Sequence, residues 1–287
     1  MSTIAPSSLP AKATLSMGPL PGKRSMVLLL AFWHVLRRDL MVSVREWVPF
    51  IMQTLVQPFF FLLVFGRILP EAGLSEVHYA ALFLPGVVAL NIGLAGVQSI
   101  AIALITDLGG AREIDDRLLA PLPISLVALE KVVFATIRSL IAGAVTIPMG
   151  YLLLGSGFQV RGDMIVPLII VMVLTALTSS ALGLLFGAGL PIDKIFLLFT
   201  IVFSLVQFTG CVFFTWTSLK DFVVFQVITL LNPVTYACEG LRYAMVPPIN
   251  GQNAATLPIA WVVIGLIAFF VVFLILGMRA FRKRAIS

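Results

Sequence analysis

Long apolar runs alternate with short polar joints along this chain. A helix needs about 20 apolar residues to cross the hydrocarbon core of a bilayer. Six segments reach that length, at about 48–66, 80–106, 130–154, 164–188, 195–216 and 258–278. The pattern predicts an all-α membrane protein with six transmembrane helices. Before the first span the period changes. Met26, Leu29, Leu30, Trp33, Leu36, Leu40 and Val44 recur at helical spacing, while His34, Arg37, Arg38 and Arg45 lie elsewhere around the wheel. That is the signature of an amphipathic interfacial helix with its basic side among the headgroups. Residues 1–25, rich in Pro, Ser and Gly, read as a disordered tail, and 26–287 as one membrane domain.

Two joints depart from simple loops. Between spans two and three, over 107–125, Gly109-Gly110 break the preceding helix. Ala111–Leu119 (AREIDDRLL) reads as a short charged helix that Pro121 and Pro123 stop, and Ser125 is placed to cap the next helix. Such a segment is either a solvated loop or a rigid element held against a partner. Between spans five and six, Asp221–Leu231 is apolar but only about 11 residues long. Asn232-Pro233, a favoured N-cap and first-turn pair, then starts a second short helix to Met245. Neither half can span. Together, over 221–245, they predict a re-entrant helical hairpin, which requires protein to cover its broken backbone. Glu239 and Arg242 are three apart on its second half and can share a face; they either pair or face water.

Composition sharpens the class. Hydrophobic residues make up 60% of the chain and charged residues 11%, with a mean hydropathy of +1.09. A soluble domain carries about 25% charged residues. The net charge of +6 comes from basic residues mostly outside the spans, which suits anionic lipid rather than nucleic acid. Fourteen of the nineteen Lys and Arg fall on one side of the predicted topology, and Arg67, Arg161, Lys220 and Arg242 on the other, with Arg138 inside span three. The positive-inside rule then puts both termini of this multi-pass protein in the cytoplasm. Arg138 is expected to snorkel toward the headgroups.

Catalytic chemistry finds little footing. There is no phosphate-cradling G-x-x-x-x-G-K-[ST] and no H-E-x-x-H. Cys211 and Cys238 stand alone, and His34 and His78 sit at span edges. No catalytic site, metal or cofactor is expected on this chain. The polar residues inside spans are Gln53 and Gln57, Asn91 and Gln98, and Ser204 and Gln207. They read either as hydrogen-bonded helix contacts or as the weakly polar lining of a pathway for an amphiphile. Ser179, Gly183 and Gly187 form a small-residue ladder in span four, expected to pack closely.

Two stretches carry a resemblance. Residues 84–132, LPGVVALNIGLAGVQSIAIALITDLGGAREIDDRLLAPLPISLVALEKV, resemble the second span and first cytoplasmic loop of type-2 ABC exporter permeases, in the branch of daunorubicin-resistance and nodulation-factor export proteins. Residues 230–245, LLNPVTYACEGLRYAM, are similar to that family's Asn-Pro motif before the last span. The likeness covers about 26–284. It implies a permease subunit that pairs with a second permease, a copy or a homologue, and with two ATPase subunits holding ATP and Mg. It also implies that 26–46 is a connecting helix on the membrane surface. Arg112, Glu113, Asp115, Asp116 and Arg117 would lie on or beside the coupling helix, and Asn232, Pro233, Glu239 and Arg242 at an outer gate. The competing classes are an ATP-independent carrier or channel, expected to show inverted repeats and mid-membrane charges, and a lipid-modifying enzyme, for which no catalytic set is present.

Overall fold

The computed structural model describes residues 21–74, 79–109, 123–155, 161–189, 192–247 and 257–286, with backbone alone at 21–25, 102, 105–109, 192–199 and 285–286. Among the described residues the fold is helical throughout, with no strand. In chain order the helices are α1 Pro21–Arg45, α2 Trp47–Glu71, α3 Tyr79–Gly109, α4 Ile124–Leu154, α5 Ile165–Gly189, α6 Ile192–Thr209, α7 Val223–Thr229, α8 Pro233–Met245 and α9 Ile259–Ile286.

Five helical stretches are long and apolar enough to cross a membrane: Trp47–Glu71, Tyr79–Ala101, Ile124–Leu154, Gly162–Gly189 and Ile259–Arg284. These match five of the six expected spans. The remaining expectation, 195–216, coincides with α6, which ends earlier, at Thr209. Gly210 and Cys211 turn the chain there, Cys211 in the left-handed region at φ 52°, and 211–215 continue in turns and bends instead of prolonging the helix. At 18 residues α6 is about 27 Å long.

Burial separates a core from a shell. Of the apolar window of Tyr79–Ala101, 78% is buried, against 11% for both Trp47–Glu71 and Ile259–Arg284. So α3 is central, packed on α4 and α5, while α2 and α9 present apolar faces outward. The α3–α5 contact depends on the small ladder. A Cβ on Gly183 would lie 2.9 Å from the Val97 backbone, and one on Gly96 would strike Ser179 Oγ. Two apolar clusters fill opposite ends of the bundle. One joins Phe83, Leu84, Val87, Val171, Leu241 and Met245; the other joins Ile100, Leu104, Ala128, Val132, Leu184 and Phe281.

Local chemistry sets several helix ends. The helix α4 begins one residue before Ser125. Pro123, extended at ψ 142°, takes the cap position, and its carbonyl accepts from Leu126 N and Val127 N, so Ser125 lies inside the first turn and caps nothing. At the other pole of the chain, Arg284 donates to Gly187 O at 2.9 Å and closes the end of α5. In α2 the residues after Pro58 relax into a π-helical stretch, Leu62–Ile68.

Candidate functional site

A buried polar cluster is built around α8. All but three of its thirteen residues are buried, and it packs against α3, α5 and α9. Asn232 starts it and serves two helices at once. Its Oδ1 accepts from Val234 N at 2.9 Å, the ordinary N-cap bond. Its Nδ2 donates to Val206 O at 2.8 Å and to Thr209 Oγ1 at 2.9 Å, satisfying the exposed end of α6. Thr235 Oγ1 closes the α7–α8 turn by donating to Thr229 O at 2.6 Å. Pro233 supplies the pre-set φ of a first helical turn.

Glu239 and Arg242 meet as their spacing allows, and both are buried, at 0% and 1% exposure. Arg242 Nη1 donates to Glu239 Oε1 at 2.8 Å, and Trp216 N donates to the same oxygen at 3.0 Å. The rest of the guanidinium is spent on backbone. Nη2 donates to Cys211 O at 2.6 Å and Val212 O at 2.9 Å, and Nε to Leu82 O at 3.0 Å. One side chain therefore ties α8 to the first turn of α3 and to the left-handed turn that ends α6. The planar fork of arginine can bond several carbonyls at once, which a lysine cannot. Gly86 completes the arrangement, because a Cβ there would collide with Val212 O. Tyr79 Oη donates to Phe213 O at 3.0 Å, and the Phe213 ring stacks on Phe83 at 5.7 Å.

The span residues singled out by polarity do not converge on one cavity. Asn91 is buried and donates to Ala142 O and Thr146 Oγ1, holding α3 to α4. Gln53 and Gln98 line one groove, and Gln57 is half-buried one turn beyond Gln53 on α2. Ser204 is exposed and bonds its own helix at Thr200 O, and Gln207 is half-buried on α6. Beside α6 a separate void of about 40 Å³ lies among Gly93, Val97, Thr175, Ser179, Val206 and Val234. Arg112, Glu113, Asp115, Asp116 and Arg117 lie outside the described residues.

One polar link escaped the sequence altogether. Lys131 Nζ on α4 donates to Asp39 Oδ2 on α1 at 2.7 Å, with side-chain exposures of only 4% and 11%. No local rule joins residues 92 positions apart. The nearest signal was the adjacent charges of Glu130 and Lys131 two turns into a long, mostly apolar helix.

The sequence matches the ABC-2 type transporter family over residues 30–246, well over half the chain. The chain belongs to the ABC-2 type transporter family. It is a multi-pass membrane protein and a permease component of an ABC transporter, of a kind that associates with an ABC ATPase and is itself generally non-catalytic. A comparison with curated proteins gives no match. In this ABC-2 permease the matched region takes in α2 to α8, so the Arg242 node lies inside the family domain.

Proposed function

We propose that the chain is the permease of an ATP-driven exporter that moves an amphiphile — drug-like, lipid-like or glycolipid — outward, with ATP and Mg held by two partner ATPase subunits and a second permease completing the pathway. In this reading six helices span, α6 being the fifth. The helix α1 lies on the inner surface as the connecting helix, and both termini are in the cytoplasm. Residues 112–117 dock into the ATPase, and α7–α8 form an outer re-entrant hairpin at the exit.

The single observation that carries the reading is the buried Glu239–Arg242 node. Two charges are kept inside an apolar bundle to hold a pair of short helices against the ends of α3 and α6. A fold that needed only packing could dispense with them, since apolar replacements of buried ion pairs are often neutral or stabilising. Fixing a gate in one position is a use that matches the cost. Gln57, Asn91, Ser204 and Gln207, and Gln53 and Gln98, which share a groove with Arg138, are neutral amides and hydroxyls that outnumber the charges along the spans. That favours amphiphiles over highly charged solutes.

The test joins the permease to its ATPase. Inside-out vesicles carrying both should take up an amphiphilic dye with ATP and not without it. Glu113→Ala should abolish uptake and lower transport-linked ATP hydrolysis, while the permease still inserts and still captures the dye. Uptake that persists without ATP, or full uptake by Glu113→Ala, refutes the coupling assigned to the 112–117 segment.

A further inference from the structure

Arg138 lies within α4, seven residues beyond Lys131 and so about 10 Å further along the axis. It lines a groove of about 260 Å³ between α2, α3 and α4, together with Glu46, Phe50, Gln53, Gln98 and Ser99. Its guanidinium carbon sits 4.2 Å from the centre of the Phe50 ring and 5.7 Å from that of Phe134. Those ring faces offset part of the cost of the charge and hold the side chain in place. They offer no hydrogen-bond acceptor. The buried Nε has no partner among the described residues, although guanidinium is the group best built to grip a phosphate by two parallel bonds.

We propose that this groove binds the phosphodiester headgroup of an anionic membrane lipid, with Arg138 as its charge partner and Gln53, Gln98 and Ser99 as further donors. The inference stands apart from the transport reading and needs no ATPase. Three features select a lipid. The groove is lined by Gln53, an exposed residue of α2, a helix whose apolar window is only 11% buried. The groove takes in Glu46, at the junction of α1 and α2, where exposed Val44, Trp47 and Val48 offer an apolar surface for acyl chains. Arg138 follows Lys131 by about 10 Å along α4, a distance that a long side chain and a headgroup drawn inward can bridge together. Glu46 is the one carboxylate lining the groove among the described residues, and its charge lies close enough to act on Arg138.

The full-length protein in detergent is titrated with phosphatidylglycerol, with phosphatidylcholine of the same chains, and with inorganic phosphate, and binding is followed by native mass spectrometry. Phosphatidylglycerol should bind at least about tenfold more tightly than phosphatidylcholine, and inorganic phosphate should not compete. Arg138→Gln should lose about tenfold in phosphatidylglycerol affinity, the scale of one charged hydrogen bond. Arg138→Lys should fall between, having charge without the fork. Equal binding of the two lipids by the unaltered protein overturns the proposal without recourse to any variant. So does unchanged affinity in Arg138→Gln, and competition by inorganic phosphate would make the groove a free-anion site instead.

Discussion

Removing Arg242 is the most informative single perturbation of this fold. Arg242→Ala leaves Glu239 buried without its cation and strips the carbonyls of Leu82, Cys211 and Val212 of their donor. Breaking a buried pair by deleting one partner costs about 3–5 kcal/mol. A domain of this size loses roughly 2–4 °C in Tm per kcal/mol, so the expected fall is on the order of 10 °C. Glu239→Gln keeps an acceptor for Arg242 and Trp216 and should cost less. The charge-swapped double variant, Glu239→Arg with Arg242→Glu, separates a simple ion pair from the observed node. An isolated pair would be rescued by exchange. Here three of the four bonds from Arg242 end on backbone oxygens, which a carboxylate would repel, so the swap should be no better than Arg242→Ala. The assay is thermal unfolding in detergent, with transport as a second readout. A Tm within about 2 °C of the parent for Arg242→Ala, or recovery by the swap, would refute the reasoning.

Three further outcomes are expected. Asn232→Ala should lower stability by more than the ~1 kcal/mol of an ordinary N-cap, because Val206 O also loses its donor; Asn232→Asp keeps the cap but not the donors, so denaturant melts of the two variants apportion the roles. Gly183→Ala should cost about 1–3 kcal/mol by overpacking against Val97, whereas Gly73→Ala, with open space around it but a φ of 71°, should show only the smaller cost of that backbone conformation, and thermal melts compare them. A cysteine at Gly251 should react with an impermeant thiol reagent in intact cells and one at Ser287 should not; native Cys211 and Cys238 are buried, so the background is low, and the reverse labelling would invert the topology.

The sequence by itself determined the parts governed by local rules. The bilayer demands about 20 apolar residues per crossing, so the long helices stand out in the hydropathy pattern. Asn232-Pro233 announced the start of α8 because capping is a contact between near neighbours. The spacing of Glu239 and Arg242 put them on one face, and the small ladder at Ser179, Gly183 and Gly187 marked a close approach before its partner, α3, was known. Tertiary structure decided what those residues touch. It ended α6 at Thr209, because Gly210 and Cys211 turn where Arg242 and Asn232 can collect the loose carbonyls. It resolved a spacing that left Glu239 and Arg242 to pair or face water into a four-bond node, set Asn91 against α4 rather than beside Gln98 in its groove, and joined Asp39 to Lys131. Periodicity tells which face of a helix is polar. Which backbone oxygens lie opposite that face depends on how helices far apart in sequence cross, and no local pattern encodes that.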